Sequence, residues 1–522
     1  MAQVSSSQTV LPWHPRACPA SISLSMMKQL SLRRLSTCSL LKPQQQLALP
    51  RLVGPIVGSR RSFYHFHGDQ REVVRVPSPM SVARLKVMGY KINGMMEMRD
   101  ITAEERITHF NLRKKRAEIM RNAGHKVQEV DYPPMTIAEL LAWTEFPRNV
   151  KKELLNRLRG SEFFRSDEPQ CYFNEKSISL LLEEQSFLQD VLSPATLKPY
   201  EEKIIAWLES IAIGLPDWMY FANTEGLCLG QSPVLDDRPI RLIWKARHVE
   251  RQAETAASVK QAIDLGEVPL IYLQGSDEGR ADWGETNRKG TWIGFHSSRT
   301  DPDLYNKVLR CMAALECPNR PKEVVEVTVR EEIEGIPDLR QTFYHKDLTA
   351  LYVPGPLTEH NDTVALIVDA VTPDSLVRLE EAKVNVTPIP IEEGLQQGLN
   401  SVLLWGQPHG GPPGTKSVAL MPPGCPTLQK CVESRGWEVA PLEFGSPAGG
   451  GNWECETNFA LDGFPPLLPK EQEIYARFGN RVLERFNLDR EFRFICSRDL
   501  EGPDWIVDKH LEQEKKYIRD IS

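Results

Sequence analysis

The sequence predicts an α/β protein, and three observations carry that expectation. A strand-like run, a helical run and a second strand-like run follow one another after Asp69, which is the opening of an α/β unit. Strand pairs and helices then recur down the chain, although the sequences do not repeat closely. The 522 residues are 41% hydrophobic and 25% charged, a globular balance long enough for one large domain with additions or for two to three domains.

"QREVVRVPSPM" is a short strand ended by prolines. "HFNLRKKRAEIMRNAG" has helical spacing and closes on Gly124. "HKVQEVDYPP" alternates and reads as a strand. From 135 to 213 the rhythm breaks into successive helical patterns, "TIAELLAWTEF", "RNVKKELLNRLRG", "SISLLLEEQSFLQDVL" and "YEEKIIAWLESIAI", read as a helical insertion. It returns with the strand pair "WMYFANTEGLCLG" and "IRLIWKAR", the helix "ERQAETAASVKQAIDLG", and the strands "VPLIYLQ" and "GTWIGFHSS". The helix "DPDLYNKVLRCMAALE" and the strand "EVVEVTVREE" come next. "LTALYVPGPL", "TVALIVD", "NSVLLWG" and "SVALMP" precede the helix "CPTLQKCVESRG" and "WEVAPLEF". From Gly463 come prolines, the helix "KEQEIYARFGNRVLERF" and a charged last helix. The expected divisions are a leader over 1–66, an α/β domain over 67–134 and 214–462, the insertion over 135–213, and a C-terminal helical tail over 463–522.

The leader differs in composition from the rest. No acidic residue precedes Asp69, whereas Arg16, Lys28, Arg33, Arg34, Lys42, Arg51, Arg60 and Arg61 lie among serines and leucines. "MMKQLSLRRLSTCSLL" can form a basic amphipathic helix, the composition of an organelle transit peptide. A mitochondrial address is the simplest reading, with cleavage near Phe63, in the matrix or on the matrix face of the inner membrane. A disordered basic tail and a plastid address fit the same composition.

Charge and cysteine usage remove several classes. A net charge of −7 gives no argument for nucleic acid or an anionic membrane. No run approaches eighteen apolar residues, so no transmembrane helix is expected. Ten cysteines are too sparse for a disulfide scaffold, and no C-x-x-C pair or zinc spacing occurs. Cys311, Cys317, Cys425 and Cys431 read as ordinary reduced thiols.

One cysteine stands apart. In "GGGNWECETN", Gly449, Gly450, Gly451 and Asn452 run into Cys455. A nucleophilic thiolate needs a backbone that lets substrate approach and surroundings that lower its pKa. Glu454 and Glu456 would raise that pKa if they faced the thiol, but strand neighbours alternate faces. A buried bystander fits this spacing as well as a nucleophile does. His345, in "TFYHKDLTALY", is a candidate base or a packed core histidine. Asp282 and Glu285 in "RADWGETN", and Asp217 and Glu225 in "LPDWMYFANTE", are candidate acids or solvated turn residues. "GGPPGTKS" fails as a phosphate loop because Thr415 stands where a glycine should precede Lys416. "NDT" at Asn361 and "NVT" at Asn385 are sequons without meaning outside the secretory route. The basic run from Arg113 to Arg116 is expected to be a solvated helix face.

The ordered set of sites resembles the guanidine-modifying superfamily, the pentein fold, with dimethylarginine dimethylaminohydrolase the nearest branch and arginine deiminase and the amidinotransferases as relatives. "LPDWMYFAN", "KARHVERQAET", "ADWGETNRKGTWIGFHSSRT", "YHKDLTALY", "IPIEEGLQQGLNSVLLW" and "GGGNWECETN" carry the resemblance, over roughly 71–459 apart from the insertion. It implies a five-bladed α/β propeller. It implies that Cys455 attacks the guanidinium carbon to give a covalent thiouronium, and that His345 protonates the leaving amine and then activates water. Asp282 stands where the family has a carboxylate beside the guanidinium and histidine. Asp217 stands at a second acidic substrate position, and Arg251 is similar to an arginine that grips a substrate carboxylate. No metal or cofactor is implied.

Departures from the pattern leave two functions open. Asn223 occupies a position where an aspartate is expected, Asp282 replaces a glutamate, and Trp283 fills a normally small position. The chain is then a thiol hydrolase or transferase acting on a small guanidino substrate, with methylated arginine the leading guess. The alternative is an inactive subunit of a mitochondrial assembly, either a respiratory complex or the mitoribosome.

Overall fold

In a computed structural model, the described residues are 73–77, 79, 86–90, 96–100, 103–130, 141, 144, 146–159, 189–205, 207–208, 226–244, 254–273, 290–296, 301, 303–318, 320–330, 346–443, 453–454 and 456–501. All lie in one compact unit, Gly58–Ser522. The fold is α/β, with several small sheets and helices, as the strand–helix rhythm predicts.

Among the described residues five of the sheets share a parallel strand–helix–strand unit, and all but the third of them add an antiparallel strand. In the first, β1 (Val73–Pro77) runs antiparallel to β16 (Asn458–Ala460) and parallel to β4 (Lys126–Val130), with α1 (Ala103–Asn122) between β1 and β4. A hairpin of β2 (Lys86–Tyr90) and β3 (Met96–Asp100) precedes α1. In the second, β5 (Leu227–Ser232) is antiparallel to β6 (Arg238–Trp244), and β6 is parallel to β7 (Val268–Tyr272) through α3 (Glu254–Asp264). The third is β8 (Thr291–His296) parallel to β9 (Glu323–Thr328) through α4 (Leu304–Ala314). The fourth joins β10 (Ala350–Val353), β11 (Thr363–Leu366), α5 (Pro373–Glu381) and β12 (Val386–Pro388). The fifth joins β13 (Val402–Leu404), β14 (Val418–Met421), α6 (Pro426–Glu433) and β15 (Glu438–Pro441).

Local sequence explains the pattern. "VPLIY", "TVAL" and "VALM" are continuous apolar runs and form strands buried along their length, as expected where both faces of a strand are covered. Helix α4 buries Leu304, Tyr305, Val308, Cys311 and Met312, which recur at helical spacing on one face. The helices of the expected insertion, among them α2 (Arg148–Arg159), pack Val150, Leu154, Leu158 and Trp207 into the core of the second sheet.

Each sheet touches the next one in the chain. Ser232 Oγ donates to the Leu315 carbonyl, 2.6 Å away, between the second and third. Thr372 N–H donates to the Thr328 carbonyl at 3.0 Å between the third and fourth. Trp437 Nε1 donates to the Pro354 carbonyl at 2.8 Å between the fourth and fifth. Lys416 N–H donates to the Ala123 carbonyl at 2.8 Å, tying the loop before β14 to the end of α1. Val402, Leu404, Val418 and Leu420 share a core with Val74 and Val76.

The segment expected as a C-terminal tail is woven into the second sheet. After α7 (Pro469–Arg485), β17 (Phe492–Phe494) pairs antiparallel with β7. Among the described residues no helix is long and apolar enough to cross a membrane.

Candidate functional site

Cys455, His345, Asp282, Asp217, Asn223 and Arg251 all lie outside the described residues. Chain neighbours of two of them meet in a buried polar cluster. Lys346, which follows His345, places Nζ 3.3 Å from Oε1 of Glu454, which precedes Cys455; the side chains are 2% and 3% exposed. Asp347 accepts from Asn400 Nδ2 at 2.8 Å, and the Asn400 carbonyl accepts from Glu454 N–H at 3.5 Å. Three distant stretches are thereby held together: the turn Lys346–Thr349 that feeds β10, the approach to β13, and the turn before β16.

The second flanking acid is also buried. Glu456 Oε1 accepts from Arg113 Nη2 at 2.6 Å and Oε2 from Arg116 Nη1 at 2.9 Å. Burial alone would raise the Glu456 carboxyl, but the two guanidiniums hold it below its ordinary value. Burial pushes Arg116 down to about 10 against the pull of Glu456, so both groups remain charged at neutral pH. The Arg116 guanidinium lies 4.9 Å from the Trp453 ring centroid, and Trp453 Nε1 donates to the Leu442 carbonyl at 2.9 Å. Thr457 N–H donates to the Glu454 carbonyl at 3.0 Å and its hydroxyl to the Trp453 carbonyl at 2.7 Å, which closes the turn.

The expectation that residues 113–116 form a solvated face is corrected here. Lys114 and Lys115 are exposed, but Arg113 and Arg116 are buried. Positions 109, 113, 116 and 120 share one face of α1, and that face packs inward with His109, Arg113, Arg116 and Met120. The cations are tolerated there because Glu456 compensates them. Arg113 and Arg116 were read only as part of a solvated run, and Lys346 and Asn400 were not singled out from sequence. The spacing of the arginines, four and seven residues after His109, was the available signal; Lys346 and Asn400 offered none.

A third buried ion pair anchors β16. Arg241 forks onto Glu267 at 2.6 and 2.8 Å and donates to Asn458 Oδ1 at 3.3 Å and the Phe459 carbonyl at 3.1 Å. The bidentate geometry is the strong form of this interaction.

Cys228, Cys311, Cys317, Cys425, Cys431 and Cys496 are buried thiols, as expected for the four of them read as ordinary thiols. Burial pushes Cys317 up to about 12 and Cys425 and Cys496 up to about 11, so these stay protonated at neutral pH. Among the described residues no group of three or more His, Cys, Asp or Glu side chains is placed to hold a metal ion.

No sequence-family model matches this chain, and no curated protein matches it. Solved structures match in part. Unliganded AgrE is 17% identical, over 48% of this chain and 32% of its own, with a TM-score of 0.35. ArgZ, an arginine dihydrolase from the ornithine-ammonia cycle in cyanobacteria, is 16% identical over 48% of this chain and 34% of its own, with a TM-score of 0.36. DDAH from Pseudomonas aeruginosa, solved as a cysteine-to-serine mutant complexed with citrulline, is 14% identical over 50% of this chain and 88% of its own, with a TM-score of 0.33. The chain spans about a third of the length of AgrE and ArgZ.

Proposed function

We propose that this chain is a five-bladed α/β propeller carrying a thiol hydrolase site for a guanidino or amidino compound. Each of the five repeated sheets is one blade. Contacts run from each blade to the next in chain order. Arg241 and β16 then join the second blade to the first, and β14 and α1 join the fifth to the first. The pairing of the late strand β16 with the first strand β1 supports a closed ring.

The single observation that carries the chemistry is the buried Lys346–Glu454 pair. A mechanism using Cys455 and His345 needs two segments 110 positions apart in the sequence to lie side by side. Residues adjoining each are in direct contact. In the proposed reaction Cys455 Sγ attacks the guanidinium carbon and the C–N bond to the leaving amine breaks. His345 donates the proton that the amine takes. Water, deprotonated by His345, then cleaves the thiouronium to a ureido product and restores the thiol. Asp282 and Asp217 hold the cationic plane, Asn223 offers it one hydrogen bond, and Arg251 grips a carboxylate. Methylated arginine is the leading substrate, and the site of action is the mitochondrial matrix or the matrix face of the inner membrane.

A second reading, an inactive subunit of a mitochondrial complex, is favoured by Asn223, which brings no charge to a cation. Protein lacking residues 1–66 is to be incubated with arginine, methylated arginines and agmatine beside a Cys455→Ala control, following ureido product. Turnover that the control abolishes supports the hydrolase. A folded protein that turns over none of them, and that co-migrates with a megadalton assembly in organelle extracts, supports the subunit.

A further inference from the structure

We propose that the exposed face of α7 is a docking surface for an acidic helix of a partner protein. The proposal goes beyond the thiol reading above and does not depend on it.

Helix α7 buries one side and turns a line of cations to water. Gln472, Tyr475, Ala476, Gly479, Val482 and Leu483 pack inward. Lys470, Arg477, Arg481 and Arg485 are exposed. At 3.6 residues per turn these four fall within about a quarter turn of one another, and Arg477 to Arg485 covers about 12 Å of the helix axis. They form one ridge, and among the described residues none of the four has an ion pair or hydrogen-bond partner. The acids of the same helix are engaged elsewhere. Glu471 lies 3.8 Å from Arg238 and accepts from Leu468 N–H at 2.9 Å. Glu473 pairs with Arg498 at 3.4 Å, and Glu484 lies close enough to Arg493 to favour its charged form.

Folding does not call for this ridge. Like charges four residues apart on a helix repel and weaken it, and Arg481 has such a neighbour on each side, Arg477 and Arg485. The helix dipole favours a cation in the last turn, which accounts for Arg485 alone. An anionic partner laid along the ridge accounts for all four. Carboxylates at i, i+4 and i+8 of a helix rise by about 6 Å each, the same step as the three arginines, and each guanidinium offers a carboxylate a planar fork. Phe486, just past Arg485, is 55% exposed and adds an apolar anchor; arginine and aromatic side chains are enriched at protein interfaces. Net charge selects a compact partner. The chain carries −7 overall, and screening confines the field of the ridge to about 8 Å at physiological salt. A membrane or a nucleic acid would meet the wider acidic surface, whereas a single helix meets the ridge.

The probe is a fluorescein-labelled, alanine-based helical peptide with Glu at every fourth position, beside a version with Gln at those positions. Binding to the full chain is read by fluorescence anisotropy at low and high salt. Wild type is expected to bind the Glu peptide, to ignore the Gln peptide, and to bind less as salt rises. The triple variant Arg477→Gln, Arg481→Gln, Arg485→Gln is expected to bind about tenfold more weakly, the sum of three exposed ion pairs. Lys114→Gln with Lys115→Gln, on the exposed side of α1, is expected to stay within about twofold of wild type, since it leaves the ridge intact. If the triple variant does not fold, Arg481→Gln takes its place, with a loss of about threefold expected. Phosphatidylcholine vesicles containing phosphatidylserine, and an oligouridylate, are the competing polyanions. No binding of the Glu peptide, binding that the ridge variants leave unmoved, or ridge-dependent binding that is tighter to vesicles or oligouridylate each overturns the proposal. Thermal unfolding adds an independent readout. Arg481→Gln removes two repulsions, so its midpoint is expected at or above that of wild type. A lower midpoint would mean that the ridge serves the fold, and would also overturn the proposal.

Discussion

Glu454 and Glu456 flank Cys455 in sequence, yet neither is left facing water. A strand reading places both on the face away from the thiol, and alternation cannot say what meets them there. The partners come from α1 and from the turn before β10. Glu456 takes two arginines because a buried carboxylate with one cation and spare lone pairs is poorly compensated. Glu456→Gln is expected to destabilise the fold by about 3–5 kcal/mol, since it leaves two buried guanidiniums without their anion; urea unfolding at neutral pH measures this. Its pH dependence has a definite sign. The folded carboxyl lies below its ordinary value, so its contribution is fully present above the unfolded value of about 4.3 and is lost as pH falls through the lower folded value. Acid titration of stability should show that loss in wild type and not in Glu456→Gln.

At the scale of elements, most helices and strands follow from apolar periodicity. "DPDLYNKVLRCMAALE" and "CPTLQKCVESRG" contain α4 and α6, and "SVALMP" contains β14. Several elements were not read, α5, β12 and β16 among them, and two more show why. The β2–β3 hairpin was not read from "LKVMGYKINGMMEMRD", although Asn93–Gly94 between the two runs is a hairpin signal. Strand β17 is three residues long, too short for periodicity to register, and it exists because β7 offers an edge. The device that holds it is Asn480 on α7, whose side chain donates to the Phe494 carbonyl at 2.9 Å and accepts from Phe494 N–H at 2.8 Å. Asn480→Ala should cost about 1–3 kcal/mol by leaving both backbone groups unpaired. A Cβ at Gly479 would stand 2.3 Å from the Phe494 ring. Gly479→Ala should therefore cost about 1–3 kcal/mol through overpacking, despite alanine's better helix propensity. Thermal unfolding of the two variants checks both values.

For the whole molecule, the decisive contacts join sequence-distant segments. Arg241 on β6 reaches Glu267, Asn458 and Phe459, so one side chain ties the second sheet to the strand that completes the first. Arg241→Ala leaves Glu267 buried without its cation and should lower stability by about 3–5 kcal/mol. Amide exchange at Asn458–Ala460 and at Val73–Arg75 should rise together, because the two strands share hydrogen bonds. Unchanged protection there would show that the tie is not needed to hold β16 in the first sheet.

The sequence by itself determined the α/β rhythm, the basic, acid-free composition before Asp69, the isolation of Cys455 behind glycines, and the absence of disulfide or zinc spacing. These are local properties, readable from residue type and period. Only the tertiary structure decided that Arg113 and Arg116 turn inward, that Lys346 meets Glu454, and that β16 and β17 return to sheets begun far earlier in the chain. The physical reason is that burial of a charge is set by its compensating partner. Here the partners lie 108 and about 340 residues away in sequence, a separation at which no periodic pattern carries information.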